Sequence, residues 1–341
     1  MAEYSDKYMM ESLTGDSALR QISEIRKFKS KKVLLDFSNM RSVRSAGMIL
    51  FLICIKDLLR NENYEFWCSN TNLTHGCSYA DTMGFFDALG LQGHVKVGTY
   101  KGRNDDYLGI QRITERELIL LNPQSDDFYP GLETYCEKIA RVLTKNDNLE
   151  FNKKLETFLK YSIREIIRNT FEHTTKNEVF IAAQRHENAG YIELVISDEG
   201  EGIRRTLSVN KALGKINDSQ ALRYAIQPGI SMVSGDELYQ KRNRTNLTGN
   251  SGYGLYVTSE LFKKIGDMKL ISGSAVLDIK SNTITEMDFK YPGTAVVLNV
   301  YLNELDSVSD NEIEQIVALG EKSAQDDPNA IKKASKSSRI F

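Results

Sequence analysis

The chain has 341 residues, with 44 Lys and Arg against 46 Asp and Glu, a net charge of −2 and an isoelectric point near 6.2. A balance so even excludes a general nucleic-acid coat, which needs a surplus of cations. With 41% hydrophobic and 26% charged residues and only five prolines, it also excludes Pro-rich disorder and leaves room for two globular cores.

Residues 1–15 are polar and are expected to be a flexible N-terminus. Leu19, Ile22 and Ile25 mark a weak helical period from Ser17 to Phe28. Val33 to Phe37 reads as a short buried strand, and Ser42 to Ala46 as a loop of mostly small or polar residues. Gly47 to Leu59 reads as a helix that is apolar almost all round its first turns. The longest apolar run, Ala46 to Ile55, is ten residues, half of the about 20 a bilayer span requires. The opening residues carry no apolar signal region, so a cytoplasmic protein with no membrane partner is expected. Tyr64 to Cys68 is a second strand and Tyr79 to Leu89 a helix ending at Gly90. Strand, helix, strand, helix is an α/β pattern. Cys54, Cys68, Cys77 and Cys136 make no CxxC, and the four histidines make no HExxH pair, so zinc and redox motifs are absent.

Asn122 to Asp127 is a polar break, and the domain boundary is placed there, with a first domain over 16–125 and a second over 130–303. The second opens on helices at Gly131 to Thr144 and Phe151 to His173. Strands follow at Val179 to Gln184 and Tyr191 to Ser197, then a short helix at Ser219 to Ile226 in a long polar stretch, and a helix at Gly254 to Ile265. Strands at Leu270 to Ser272, Ala275 to Lys280, Thr283 to Lys290 and Thr294 to Leu302 complete the domain. Residues 304–341 read as a polar tail with a short helix at Asn311 to Glu321.

Three segments share one chemistry. Glu165, Asn169, Glu172 and His173 stand on one face of a helix. There a carboxylate can serve as general base and a carboxamide oxygen suits magnesium; a solvated helix face is the ordinary alternative. Asp198 ends an apolar strand and is followed by Gly200 and Gly202, in a pattern that lets a backbone pass close to a flat ring. Gly249 to Leu255 places glycines before a helix, where backbone N–H groups bind phosphate. No Walker A lysine follows.

In order and spacing the set resembles the N box and the two glycine boxes of the GHKL ATPase superfamily, which includes gyrase, heat-shock chaperones, histidine kinases, mismatch-repair proteins and anti-sigma serine kinases. Gly293 and Thr294 resemble its terminal glycine-threonine element. The resemblance covers about 130–303 and implies an α/β sandwich, a mixed sheet covered by helices on one face, that takes ATP and Mg²⁺. It implies that Glu165 activates a water or hydroxyl, Asn169 binds magnesium and Asp198 holds the adenine amino group. Gly200, Gly202 and Ile203 would flank the adenine. Gly252, Gly254 and Leu255 would lie at the phosphates, Thr294 would support Asp198 through water, and His173 sits where the family often has His, Lys or Tyr. Residues 204–250 would form an ATP lid, with Lys241, Arg242 and Arg244 near the γ-phosphate. Residues 95–172 contain no histidine, which argues against a self-phosphorylating histidine kinase.

The first half resembles a STAS domain, the anti-sigma antagonist module, through Val33 to Ser38 and through Arg44-Ser45-Ala46-Gly47 opening the apolar helix. The family's regulatory serine falls at Ser45, where Arg44 stands in place of the usual aspartate; a helix cap is the ordinary reading of that serine. The combined expectation is an ATP-dependent regulatory switch, with ATP hydrolysis or phosphoryl transfer, in bacterial signalling, stress response or defence. A protein partner would bind the STAS-like half, a homo-oligomer stays open, and nucleic acid is not expected. An anti-sigma-type serine kinase and a non-catalytic nucleotide-dependent interaction module are the alternatives.

Overall fold

The computed structural model describes residues 4–95, 107–144, 149–173, 176–232, 251–327, 329–335 and 339. The fold is mixed α/β, built on two sheets. In the first, β1 (Asp6–Met9), β2 (Lys32–Asp36) and β3 (Glu65–Ser69) lie side by side and parallel. Parallel neighbours need crossovers, and α1 (Gly15–Arg26) and α2 (Ser45–Asn61) supply them. The expectation of a flexible N-terminus over 1–15 is corrected by β1 and by Met10 and Leu13, both fully buried. A four-residue strand with one buried side chain carries too little periodicity to be read from sequence. Lys7 on it pairs with the buried Asp36 at 2.6 Å. The helix expected over 79–89 is two helices, α3 (His75–Thr82) and α4 (Phe85–Leu89), separated by Gly84 at φ +77°.

The second sheet begins earlier than expected. β4 (Tyr107–Thr114) and α5 (Glu115–Leu121) fall inside the range assigned to the first domain, yet β4 pairs with a strand of the second. After α6 (Tyr129–Leu143) and α7 (Leu149–His173) come β5 (Glu178–His186), β6 (Tyr191–Asp198), α8 (Ile203–Leu207), α9 (Asp218–Ala225), α10 (Gly254–Ile265), β7 (Gly266–Asp278), β8 (Thr283–Tyr301) and α11 (Glu312–Ala324). The sheet order is β4-β5-β6-β8-β7, and every pairing is antiparallel. The expected mixed sheet is therefore corrected. Short connections permit only antiparallel neighbours at two of the four pairings, β5–β6 through the turn at Glu187 to Gly190 and β7–β8 between Asp278 and Thr283. The polar tail is corrected in part, because Ile313, Ile316 and Val317 of α11 join the main core.

The second unit's own helices pack on one face of this sheet, and the first unit covers the other. Along β6, Ile192, Leu194 and Ile196 point into the core made with α6, α7 and α10. Val195 points the other way, with Phe180 and Ala182 of β5 and Ala295 and Val297 of β8, into the core of the first unit. There α2 packs against β5, β6 and β8 while α1 and α4 flank it. Twelve of its 17 residues are buried, Ala46 to Ile55 without a gap. A helix apolar all round is one with neighbours on every side, and here those neighbours include the sheet of the other half. Among the described residues no helix is long and apolar enough to cross a membrane.

Candidate functional site

A cleft open to solvent lies where α7, the end of β6, α8 and the start of α10 meet. It is lined by Asn169, Asp198, Gly202, Ile203, Gly252, Gly254, Leu255 and Thr294, which brings together eight of the residues singled out from sequence. Ile166, Ile196, Leu207, Leu270 and Val296 make its floor largely apolar, which suits a flat heterocycle.

Asp198 is the polar focus. Its carboxylate accepts the Gly200 N–H at 2.7 Å, the Thr294 N–H, and the Thr170 hydroxyl at 3.5 Å. Burial pushes its pKa up to about 6, against the pull of those donors. Thr294 thus supports Asp198 directly through its backbone N–H. Gly293, at φ +103°, passes so close that any Cβ there would run into the Asp198 carbonyl. Thr170 was not foreseen; its signal was its place one residue after Asn169, on the turn that faces β6. Ser272, also unforeseen, accepts the Ile203 N–H at 3.0 Å and donates to the Gly293 carbonyl at 2.9 Å, tying β7 and β8 to the start of α8.

The opposite wall is a glycine cradle. Gly252, at φ +71°, presses against the Ile230 backbone, and its carbonyl accepts the Gly229 N–H. The two flanks of 233–250 therefore touch. A segment near the C-terminus pins them: the Ile331 N–H donates to the Gly229 carbonyl at 2.8 Å, the Tyr253 hydroxyl to the Ile331 carbonyl at 3.0 Å, and the Ser335 N–H to Ser251 Oγ at 2.9 Å. The expected lid over 204–250 is described only to 232, where it holds α8 and α9; Lys241, Arg242 and Arg244 lie outside the described residues. His173 closes α7, and its side chain also lies outside them.

Glu165 does not line the cleft. It is 3% exposed, with Oε1 at 3.1 Å from Arg164 Nη2 and Oε2 at 4.0 Å from Arg168 Nη1. Burial pushes its carboxyl above the ordinary value, against both guanidiniums. The Cα of Gly254 packs on this carboxylate, and a Cβ there would run into it. Arg168 continues to Glu172 at 2.6 Å, and Glu172 accepts the Tyr129 hydroxyl at 2.6 Å. The carboxylate expected at the reacting phosphate is thus held in an ion network of α7 and α6, under Gly254 of α10.

Ser45 is fully buried as the first residue of α2. It does not cap the helix: the backbone N–H groups of Ser45 and Ala46 point to the Glu193 carboxylate on β6. Arg44 stacks on Tyr191 and reaches His186 at 2.9 Å. A kinase would reach Ser45 only if the first unit left the sheet. For magnesium the described residues offer Asn169 at the cleft and no cluster of three acidic, His or Cys ligands; a single oxygen ligand fits an ion held mainly by phosphates and water. A scan against protein-family models finds no match, and a search of curated proteins finds none either.

Proposed function

We propose that the cleft binds ATP with Mg²⁺ and that the chain is a nucleotide-dependent regulatory protein of GHKL type, with a STAS-like first unit that presents a surface to a protein partner. The observation that carries this reading is Asp198: a buried carboxylate, oriented by two backbone N–H groups and a hydroxyl, at the apolar floor of a cleft whose other wall is Gly252 and Gly254. A carboxylate fixed in this way accepts an exocyclic amine, and an apolar floor takes the ring. The glycines leave room for phosphates. Asn169 would hold the metal, which supplies charge neutralisation at the phosphates.

Glu165 favours the version in which nucleotide is held rather than quickly turned over. Its carboxylate is engaged by Arg164 and packed under Gly254, and a general base must reach the attacking oxygen. The serine-kinase version requires that network to open. Calorimetric titration with ATP and Mg²⁺ tests binding, and Asp198→Asn is expected to weaken it. ATP labelled at the γ-phosphate separates the versions: label on protein indicates a kinase, free phosphate an ATPase, and binding alone an interaction module. No heat from ATP in the wild-type chain would end the nucleotide reading.

A further inference from the structure

We infer that Arg60 of α2 is a positioning residue of the Asp198 pocket: it grips Glu199, the residue after Asp198, from the opposite face of the sheet, so that ligand binding in the cleft depends on the docking of the first unit. The inference rests on the proposed function only for the identity of the ligand.

The geometry starts from β6. Alternate side chains of a strand face opposite ways, so Asp198 turns to the cleft while Glu193, Val195, Ser197 and Glu199 turn to the other side. α2 runs along that side in the direction of β6. Its first turn meets Glu193 and its last turn meets Glu199. The lengths agree: Ser45 to Arg60 spans about 22 Å at 1.5 Å per helical residue, and Glu193 to Glu199 about 20 Å of extended chain.

The Glu199 side chain is 2% exposed, and its two carboxylate oxygens lie 2.9 and 2.7 Å from Arg60 Nη1. Burying a carboxylate is tolerable when it is paired and hydrogen-bonded, and the cation here comes from a helix of the other unit. Without Arg60 a buried negative charge would stand beside Asp198, itself buried and already disfavoured by the Glu199 charge. The charged and titratable groups around Asp198 and Glu199, which follows the end of β6, are Tyr291 on β8 and Arg60 and Lys56 on α2; α7 contributes the neutral Thr170. Ionised Asp198 accepts an amine, and protonated Asp198 does so poorly. Loss of Arg60 therefore costs affinity most at low pH. By reciprocity, a ligand on Asp198 tightens the docking of α2.

The test uses the full chain with Arg60→Met, Arg60→Lys, Glu199→Gln and Arg60→Met/Glu199→Gln. Two readouts are taken: the titration of the Asp198 carboxyl by ¹³C NMR, assigned with Asp198→Asn, and ATP affinity from pH 5 to 8. Arg60→Met should raise the Asp198 midpoint by about half a pH unit or more and weaken ATP about threefold or more at pH 5, with little loss at pH 8. Arg60→Lys and the double variant should return both towards wild type, which a merely structural loss would not do. An Asp198 midpoint that is the same in wild type and Arg60→Met overturns the inference. Should Arg60→Met not fold, Glu199→Gln decides, since an unchanged midpoint there overturns it equally. Wild-type protein that binds no ATP overturns the nucleotide reading, and the titration still decides the role of Arg60.

Discussion

Asp198 and His186 titrate with opposite consequences. The Asp198 carboxyl sits near 6 in the folded chain against an ordinary 3.8. Its contribution to stability is complete below about pH 4 and is lost as pH rises through about 6. Asp198→Asn has no charge to bury. It should lose ATP affinity yet melt higher than wild type at pH 7.5, by about 1–3 kcal/mol of stability, with the gain gone at pH 4. His186 is pushed down to about 4, first by burial and then by Arg44. It folds neutral, so stability falls as pH drops from about 6.5 through 4. In His186→Gln the melting temperature should drop less between pH 7 and pH 5 than in wild type. A scan of melting temperature against pH checks both variants, and parallel curves for variant and wild type would refute either assignment.

At the scale of elements, the junction of α7 with α10 depends on a residue without a side chain. Gly254→Ala places a methyl against the Glu165 carboxylate and should cost about 1–3 kcal/mol. Glu165→Ala removes one partner from Arg164 and Arg168, which keep Glu133 and Glu172, and should cost about 1–3 kcal/mol. The double variant should cost less than the sum, because the methyl occupies space the carboxylate vacates. Chemical denaturation measures all three, and full additivity would separate the two residues. The legible part of the fold is the part with long periodic runs: α6, α7, α10, β5 and β6 fell within a few residues of expectation, whereas the four strands expected over 270–302 are the two long strands β7 and β8. Elements defined by distant partners were not legible. β1 exists because Lys7 meets Asp36 and Met10 meets a core. β4 exists because β5 needs a neighbour, and α11 because the second core needs a cover. The cleft residues were legible as local motifs, whereas Thr170, Ser272 and the ion network around Glu165 are products of packing between segments.

At the scale of the whole molecule, the two units share a core and are expected to unfold together. α2, Phe180, Val195, Val297 and Tyr291 share a single apolar core across the two sheets, and Lys269–Asp16 and Arg60–Glu199 tie its margins. Trp67, the lone tryptophan, lies on β3 of the first unit. Its fluorescence and the far-ultraviolet dichroism of the whole chain should therefore report the same denaturation midpoint; two separated midpoints would show that the halves unfold independently. The pinning of the cleft by Ser335 and Ile331 also has a consequence in time. Ser251 and Ser335 are 84 residues apart in the chain, so at 5–20 residues per second the ribosome makes the flank of the cleft about 4–17 s before it makes the segment that fastens it. For that interval the nascent chain lacks all three of these hydrogen bonds, so Gly229, Ser251 and Tyr253 at the cleft wait for partners that have yet to be made.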